Sequence, residues 1–280
     1  MNPTVTIVTI CYNAEQMIED TLKSVLSQTF ADYEYVFIDG NSKDNTVGRI
    51  ESYRAAFEAK GVAYRVTSEP DKGIYDAMNK GVAKAQGQWI LMLNAGDRFV
   101  DNDVLRDLFT DRQYEADILY GDTVNSDIIQ NTTYYKIAPA QPLEGLLQGI
   151  PFCHQSVFVR GETLKKYGFD TSFRICADYD MFLRAYLDGV RFQYVRRLIS
   201  IYDCSGVTLE NPKAATKESV LVRQKSHVDS DSKRMRNLKN QMRTMLRKFL
   251  KYHLPGVLFS EKNGWSRQMP TNCSWIASAE

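Results

Sequence analysis

The chain has 280 residues, 44% of them hydrophobic and 25% charged, which suits one large folded domain and excludes a disordered chain, a collagen or a small disulfide scaffold. Thirty-five Lys and Arg against 34 Asp and Glu leave a formal charge of +1, so no global field draws the protein to nucleic acid. Five cysteines without a CxxC pair, no apolar run long enough to span a bilayer and no basic-then-apolar leader predict a cytoplasmic protein with reduced thiols.

In chain order, a β-branched run at 4–10 predicts a strand, and apolar positions Met17, Leu22, Val25 and Leu26 predict a helix over 14–27. A second strand at 35–38 ends in the turn Asp39-Gly40-Asn41-Ser42; a helix at 47–57, a strand at 64–66, a helix at 74–85 and a buried strand at 89–93 follow. Short apolar strands alternating with helices predict a mainly parallel sheet covered on both faces, so the first 120 residues read as α/β. A looser middle containing Pro139 and Pro142 leads to a strand at 156–159, a helix at 178–187 and short strands at 192–195 and 198–202.

Open α/β sheets bind ligands beyond the carboxyl ends of their strands. Polar clusters fall at those ends here: Thr9, Tyr12 and Asn13; Asp39, Asn41, Ser42 and Asp44; Asp71, Lys72 and Gly73; and Asn94 to Asp97. No GxGxxG follows the first strand and no GxxxxGK[ST] occurs, which argues against a nicotinamide enzyme or a P-loop ATPase. By local sequence alone, Asp39, Asn41 and Ser42 serve equally as turn formers, and Asp178 and Asp180 as acidic residues at the positive start of a helix.

Taken together, TIVTICYN, LKSVLSQT (22–29), FIDGNSKDNT, EPDKGIYDAMNKGVAKAQGQWILMLNAGD, HQSVF and ADYDMFLR resemble, in order and spacing, the family-two glycosyltransferases over roughly residues 3–208. The resemblance implies a GT-A nucleotide-sugar fold and an inverting glycosyltransferase acting on a nucleotide-diphosphate donor, by default a UDP-hexose. It implies donor contacts from Thr9, Tyr12, Asn13, Asp39, Asn41, Asp71, Lys72, Gly73, Asn79, Asn94 and Ala95. Gly40 would allow the sharp turn at Asp39, and Gly81 would sit with Asn79 on the following helix. The family's DxD-like segment, which holds Mn²⁺ or Mg²⁺ against the diphosphate, falls on Asn94-Ala95-Gly96-Asp97; both aspartates are replaced, leaving Asp97 one residue later as the metal ligand. The family's catalytic carboxylate falls on Asp178, with Ala177 in place of the usual glutamate, and His154 and Asp180 take accessory or acceptor-side roles.

These motifs divide the chain into a catalytic domain at 1–210, a basic helical extension at 211–262 and a tail at 263–280 without periodicity. Residues 213–262 carry 13 basic against 4 acidic side chains, and 233–251 alone carries eight basic and no acidic ones. Met235, Leu238, Met242, Met245 and Phe249 form an apolar stripe there, as on a helix lying on the inner face of the cell membrane or packed on the domain or a partner. The implied acceptor is a saccharide, such as a bacterial surface polysaccharide or lipopolysaccharide unit on a polyprenyl diphosphate. The departures at 94–97 and Ala177 keep a non-catalytic sugar-nucleotide-binding scaffold open as the alternative.

Overall fold

A computed structural model describes residues 2–129, 131–204, 211–228 and 259–269. Its strands are β1 (Val5–Cys11), β2 (Tyr33–Asp39), β3 (Ala63–Ser68), β4 (Trp89–Met92), β5 (Arg98–Phe99), β6 (Ile118–Ile129), β7 (Thr132–Ala138), β8 (Val157–Arg160) and β9 (Phe192–Asp203). Its helices are α1 (Ile18–Leu26), α2 (Thr46–Ser52), α3 (Arg54–Ala59), α4 (Ile74–Lys84), α5 (Val104–Phe109), α6 (Gly161–Tyr167), α7 (Ala177–Leu187) and α8 (Pro212–Lys225).

The strands form one sheet in the order β3-β2-β1-β4-β8-β6-β9-β5, with β7 hairpinned onto β6. The β3-β2-β1-β4 half is parallel, as the short strand and helix alternation predicts. Beyond it, β8 runs antiparallel to both β4 and β6, while β6 and β9 are parallel. Alternate side chains of β1, β2 and β4 enter two separate cores. Ile7, Tyr35, Phe37 and Leu91 pack with Leu22, Ile50 and Phe57 on one face, while Val8, Val36, Ile38 and Ile90 pack with Met78, Val82 and Phe182 on the other. Burial on both faces explains why these strands read as continuous apolar runs. On the second face α4 approaches β1 closely, and a Cβ on Gly81 would lie 2.4 Å from Val8 Cγ1.

Three elements differ from their sequence expectation. The helix at 47–57 breaks at Tyr53 into α2 and α3. The two strands expected at 192–195 and 198–202 are one, because Arg197, which reads as a polar interruption, is buried and paired with Asp101 at 2.6 Å and Asp107 at 3.2 Å. The β6–β7 hairpin occupies part of the stretch that reads as a loose middle. Its β6 strand changes register against β9 around Asp122, which weakens the alternation a sequence can display.

The extension begins with α8, which packs on α7: Lys225 Nζ lies 2.6 Å from Asp170 and 3.4 Å from Asp180. Ser266 pairs with Tyr135 of β7, and Phe259 and Trp265 pack beside Tyr134, so 263–269 is seated on the domain. The basic stripe at 233–251, the tail beyond residue 269 and Cys273 lie outside the described residues. Among the described residues no disulfide forms and no helix is long and apolar enough to cross a membrane.

Candidate functional site

The carboxyl ends of β1, β2 and β4 open onto one region, built first by turns. Asn13 and Asn41 both take positive φ, +49° and +65°, a conformation that a short polar side chain tolerates. Asn13 Oδ1 accepts the Lys43 amide at 2.9 Å, and the Asn13 amide donates to Ser42 Oγ at 2.8 Å, lacing the loop after β1 to the loop after β2. Below them Asp39 is buried. Its carboxylate accepts the Ser42 amide at 3.0 Å, the Ser68 hydroxyl at 2.6 Å and the Ser42 hydroxyl.

Gly40 leaves a slot. A Cβ there would lie 2.4 Å from Asp71 Oδ2 and 3.3 Å from the Tyr12 ring. Asp71 is held by the Gly73 amide at 2.8 Å, Lys72 is exposed, and the Tyr12 ring is 62% exposed, a flat face on which a base can stack. Tyr12, Asp39, Gly40 and Asp71 are therefore brought together at one edge of the region.

At the end of β4, Asn94 O accepts the Asp97 amide at 3.0 Å, and Gly96 takes φ +97° between them. Asp97 is buried. Burial pushes its carboxyl up to about 7, against the opposing effects of the Asp203 amide at 2.9 Å, the His154 ring and the Gln155 side chain. Asn94 Oδ1 is buried without a hydrogen-bond partner. A costly buried carboxylate and, three residues earlier in the same turn, an orphaned amide oxygen are the donor types that a hard divalent cation takes alongside phosphate oxygens. Among the described residues no three His, Cys, Asp or Glu side chains gather as a metal cage.

Across from this turn, Asp178 opens α7. Its Oδ2 lies 3.2 Å from His154 Nδ1, and its Oδ1 faces the Tyr179 amide at 2.9 Å and the Tyr75 hydroxyl at 3.1 Å. Burial alone would raise this carboxyl, but the hydrogen bond and charge of His154, with the Tyr179 amide and Tyr75, outweigh it and hold it below the usual carboxylate range. Asp178 is thus ionised at neutral pH, able to accept a proton. His154 Nε2 is buried with no partner, and the charge of the ring also acts on Asp97. The nearby Cys153 thiol is pushed up by burial and donates to Gln155 at 2.8 Å, which makes it a poor nucleophile.

Three residues that the resemblance assigns to the site are engaged elsewhere. Thr9 is buried between strands, its hydroxyl 2.7 Å from Leu93 O and 3.0 Å from the Tyr35 hydroxyl. The Asn79 carboxamide is used at both ends by the Phe169 backbone, at 2.8 and 2.9 Å, and clamps α4 to the segment after α6. Asp180 is buried and paired with Arg184 at 2.7 Å; two residues from Asp178, it cannot share that residue's helix face. The fold also supplies residues the motifs did not single out as site members: Tyr75 from α4, Gln155 beside Asp97, and Asp203 from the end of β9. Only the contacts between distant segments reveal these. A separate concavity lined by Arg54, Arg65, Lys84 and Lys165 lies beyond β3; its guanidinium groups are paired with Glu51, Glu58 and Glu34.

Comparison with known proteins agrees with this architecture. Residues 6–188 match the family model of Glycosyl transferase family 2. The chain is 30% identical over 205 residues to a PGL/p-HBAD biosynthesis glycosyltransferase of Mycobacterium bovis, covering 72% of this chain and 77% of that protein. Among solved structures it is similar to S. aureus TarS 1-349 in complex with UDP (19% identity, 90% of this chain and 73% of that one, TM-score 0.59). It is also similar to the mannosyltransferase PcManGT from Pyrobaculum calidifontis in complex with GDP-Man and Mn²⁺ (15% identity, 92% and 78%, TM-score 0.61). These likenesses show the GT-A fold.

Proposed function

The chain belongs to glycosyl transferase family 2, and from that premise we propose that it moves a sugar, by default from a UDP-hexose, to a hydroxyl of a saccharide acceptor with inversion at the anomeric carbon. The observation that carries the reading is the ionised Asp178 held by His154, Tyr75 and the Tyr179 amide, close enough to Asp97 for one imidazole to influence both carboxylates. Asp178 removes the proton of the acceptor hydroxyl as that oxygen attacks the anomeric carbon and the bond to the diphosphate breaks. One displacement inverts the centre. Tyr12, Asp39, Gly40 and Asp71 form the nucleoside slot, with Asn13, Asn41, Lys72 and Gly73 framing it. Asn94, Ala95 and Asp97 face the diphosphate. His154, through its unpartnered Nε2, offers one further hydrogen-bonding position to the bound substrates.

A divalent cation would be held by Asp97 with Asn94 Oδ1, and when bound it neutralises charge on the departing diphosphate. The GDP-Man and Mn²⁺ in the mannosyltransferase complex support this assignment. UDP in the TarS complex supports a uridine donor. The catalytic unit proposed at 1–210 extends to α8, given the packing of Glu218 and Lys225 against the segment that leads into α7 and against α7 itself. The basic stripe at 233–251 would bring this site to a polyprenyl-diphosphate-linked acceptor at an anionic membrane surface.

The test is incubation with UDP-glucose, UDP-galactose, UDP-N-acetylglucosamine and GDP-mannose, with Mn²⁺ or Mg²⁺ and polyprenyl-diphosphate-linked acceptors. Transfer abolished by Asp178→Asn supports the reading. Nucleotide binding without transfer or donor hydrolysis would establish the scaffold instead, and absence of all three would overturn both.

A further inference from the structure

We propose that Glu218 is a positioning residue of the reaction: from α8 its carboxylate fixes the segment that enters α7 and, through the Ile175 peptide and the Tyr75 hydroxyl, sets the proton-accepting state of Asp178. The inference rests on Asp178 being the base.

The first amides of a helix have no partner within it, and a side chain at the N-cap usually supplies one. Cys176, which caps α7, makes no such bond. Glu218, from a different element, instead binds the N-cap amide and the two amides before it. Its Oε2 accepts the Ile175 amide at 2.7 Å and the Cys176 amide at 3.0 Å, and its two oxygens lie 3.0 and 3.1 Å from the Arg174 amide. Three successive N–H groups thus converge on one carboxylate, two residues before Asp178. Negative charge is also favoured at this end of a helix. The Cys176 thiol donates to Ala215 O at 3.4 Å, a second contact from the same face of α8.

The peptide that joins Ile175 to Cys176 leads to the site: its N–H is the Cys176 amide that Glu218 accepts, and its other side is the Ile175 carbonyl. That carbonyl lies 2.6 Å from the Tyr75 hydroxyl, and that same hydroxyl lies 3.1 Å from Asp178 Oδ1. A phenol has one hydrogen, so the Ile175 carbonyl and the Asp178 carboxylate compete for it, and the shorter contact belongs to the carbonyl. While Glu218 holds the peptide in place, the Ile175 carbonyl takes the larger share of the Tyr75 hydrogen and Asp178 accepts only the longer, weaker contact. Release of the peptide moves the first turn of α7 and turns the Tyr75 hydrogen toward Asp178, weakening it as an acceptor. The remaining titratable neighbours keep their places: His154 on Asp178, and Lys225 on Asp180 and Asp170.

The full chain would be compared with Glu218→Gln and with Glu218→Asp, which keeps the charge should the glutamine variant fold poorly. UDP release would be followed with whichever of UDP-glucose, UDP-galactose or UDP-N-acetylglucosamine turns over, and UDP affinity by calorimetry. We expect kcat to fall about 10-fold to 100-fold, the scale for misplacing a reacting group by about 1 Å, with UDP affinity and donor KM unchanged. Adding Tyr75→Phe should then cost little more than the larger single loss, because both act along one chain of contacts. Wild-type kcat in both Glu218 variants, or a loss matched by weaker UDP binding, would overturn the proposal. Losses that multiply with Tyr75→Phe would overturn the route through Ile175. Asp178→Asn in the same assay separates the two readings: full activity there defeats the assignment of the base, whereas inactivity there with active Glu218 variants defeats only the role of Glu218.

Discussion

His154 Nδ1 lies 3.2 Å from Asp178 Oδ2, joining the short turn before β8 to the first turn of α7. The pair orients the carboxylate, and its hydrogen bond is the main influence that holds Asp178 below the usual carboxylate range against burial. It also leaves one polar atom, His154 Nε2, pointing at no protein group. The mechanistic predictions follow from this contact and from the slot at Gly40.

Replacing the base by its amide isolates proton acceptance. Asp178→Asn keeps the shape and the hydrogen bond from the Tyr179 amide, so the fold and UDP binding should persist. Turnover should fall by about 10²-fold or more, the range for losing a general base, as measured by UDP release under saturating donor.

Removing the imidazole changes the acidity of its partner. The hydrogen bond and charge of His154 oppose the rise that burial imposes on Asp178, so His154→Ala should raise that carboxyl. The acid limb of the kcat/KM profile should therefore move to higher pH, and the variant should lose more activity at pH 6 than at pH 8. An acid limb that stays in place would separate His154 from the state of Asp178.

A methyl group at Gly40 fills the nucleoside slot. The added Cβ would lie 2.4 Å from Asp71 Oδ2, a side-chain atom that can move, so Gly40→Ala should fold while displacing Asp71 and crowding Tyr12. Donor KM and UDP Kd should each rise about tenfold, close to 1.4 kcal/mol, with a smaller effect on kcat. Titration calorimetry with UDP reads this directly.

Asp97 makes stability depend on pH. Burial lifts its carboxyl to about 7 in the folded protein, while an unfolded aspartate titrates near about 4. Between those values the folded state holds the extra proton, so this contribution to stability is full below the lower value and is lost as pH rises through the upper one. In EDTA, Asp97→Asn should melt several degrees above wild type at pH 8, at about 2–4 °C per kcal/mol, and close to wild type at pH 4. Equal melting temperatures at pH 8 would show that the carboxylate carries no burial cost.

The sequence by itself determined the α/β class, the parallel half of the sheet and the family. Apolar runs, turn residues and motif spacing are local signals, and doubly buried strands write them plainly. It also placed Asp39, Asp71, Asn94, Asp97, His154 and Asp178 at strand ends or the start of a helix. What each side chain does there was decided by segments far away in the chain. Thr9 is claimed by Leu93 and Tyr35, Asn79 by Phe169, and Asp180 by Arg184 and Lys225. Tyr75 and Glu218 enter the surroundings of Asp178 from α4 and α8, the first from inside a quoted motif that gives it no role and the second from outside every motif. The physical reason is that hydrogen-bonding capacity is finite and directional. A polar residue type reveals which bonds a position can make, while packing the helices and strands together decides which of those bonds are already taken.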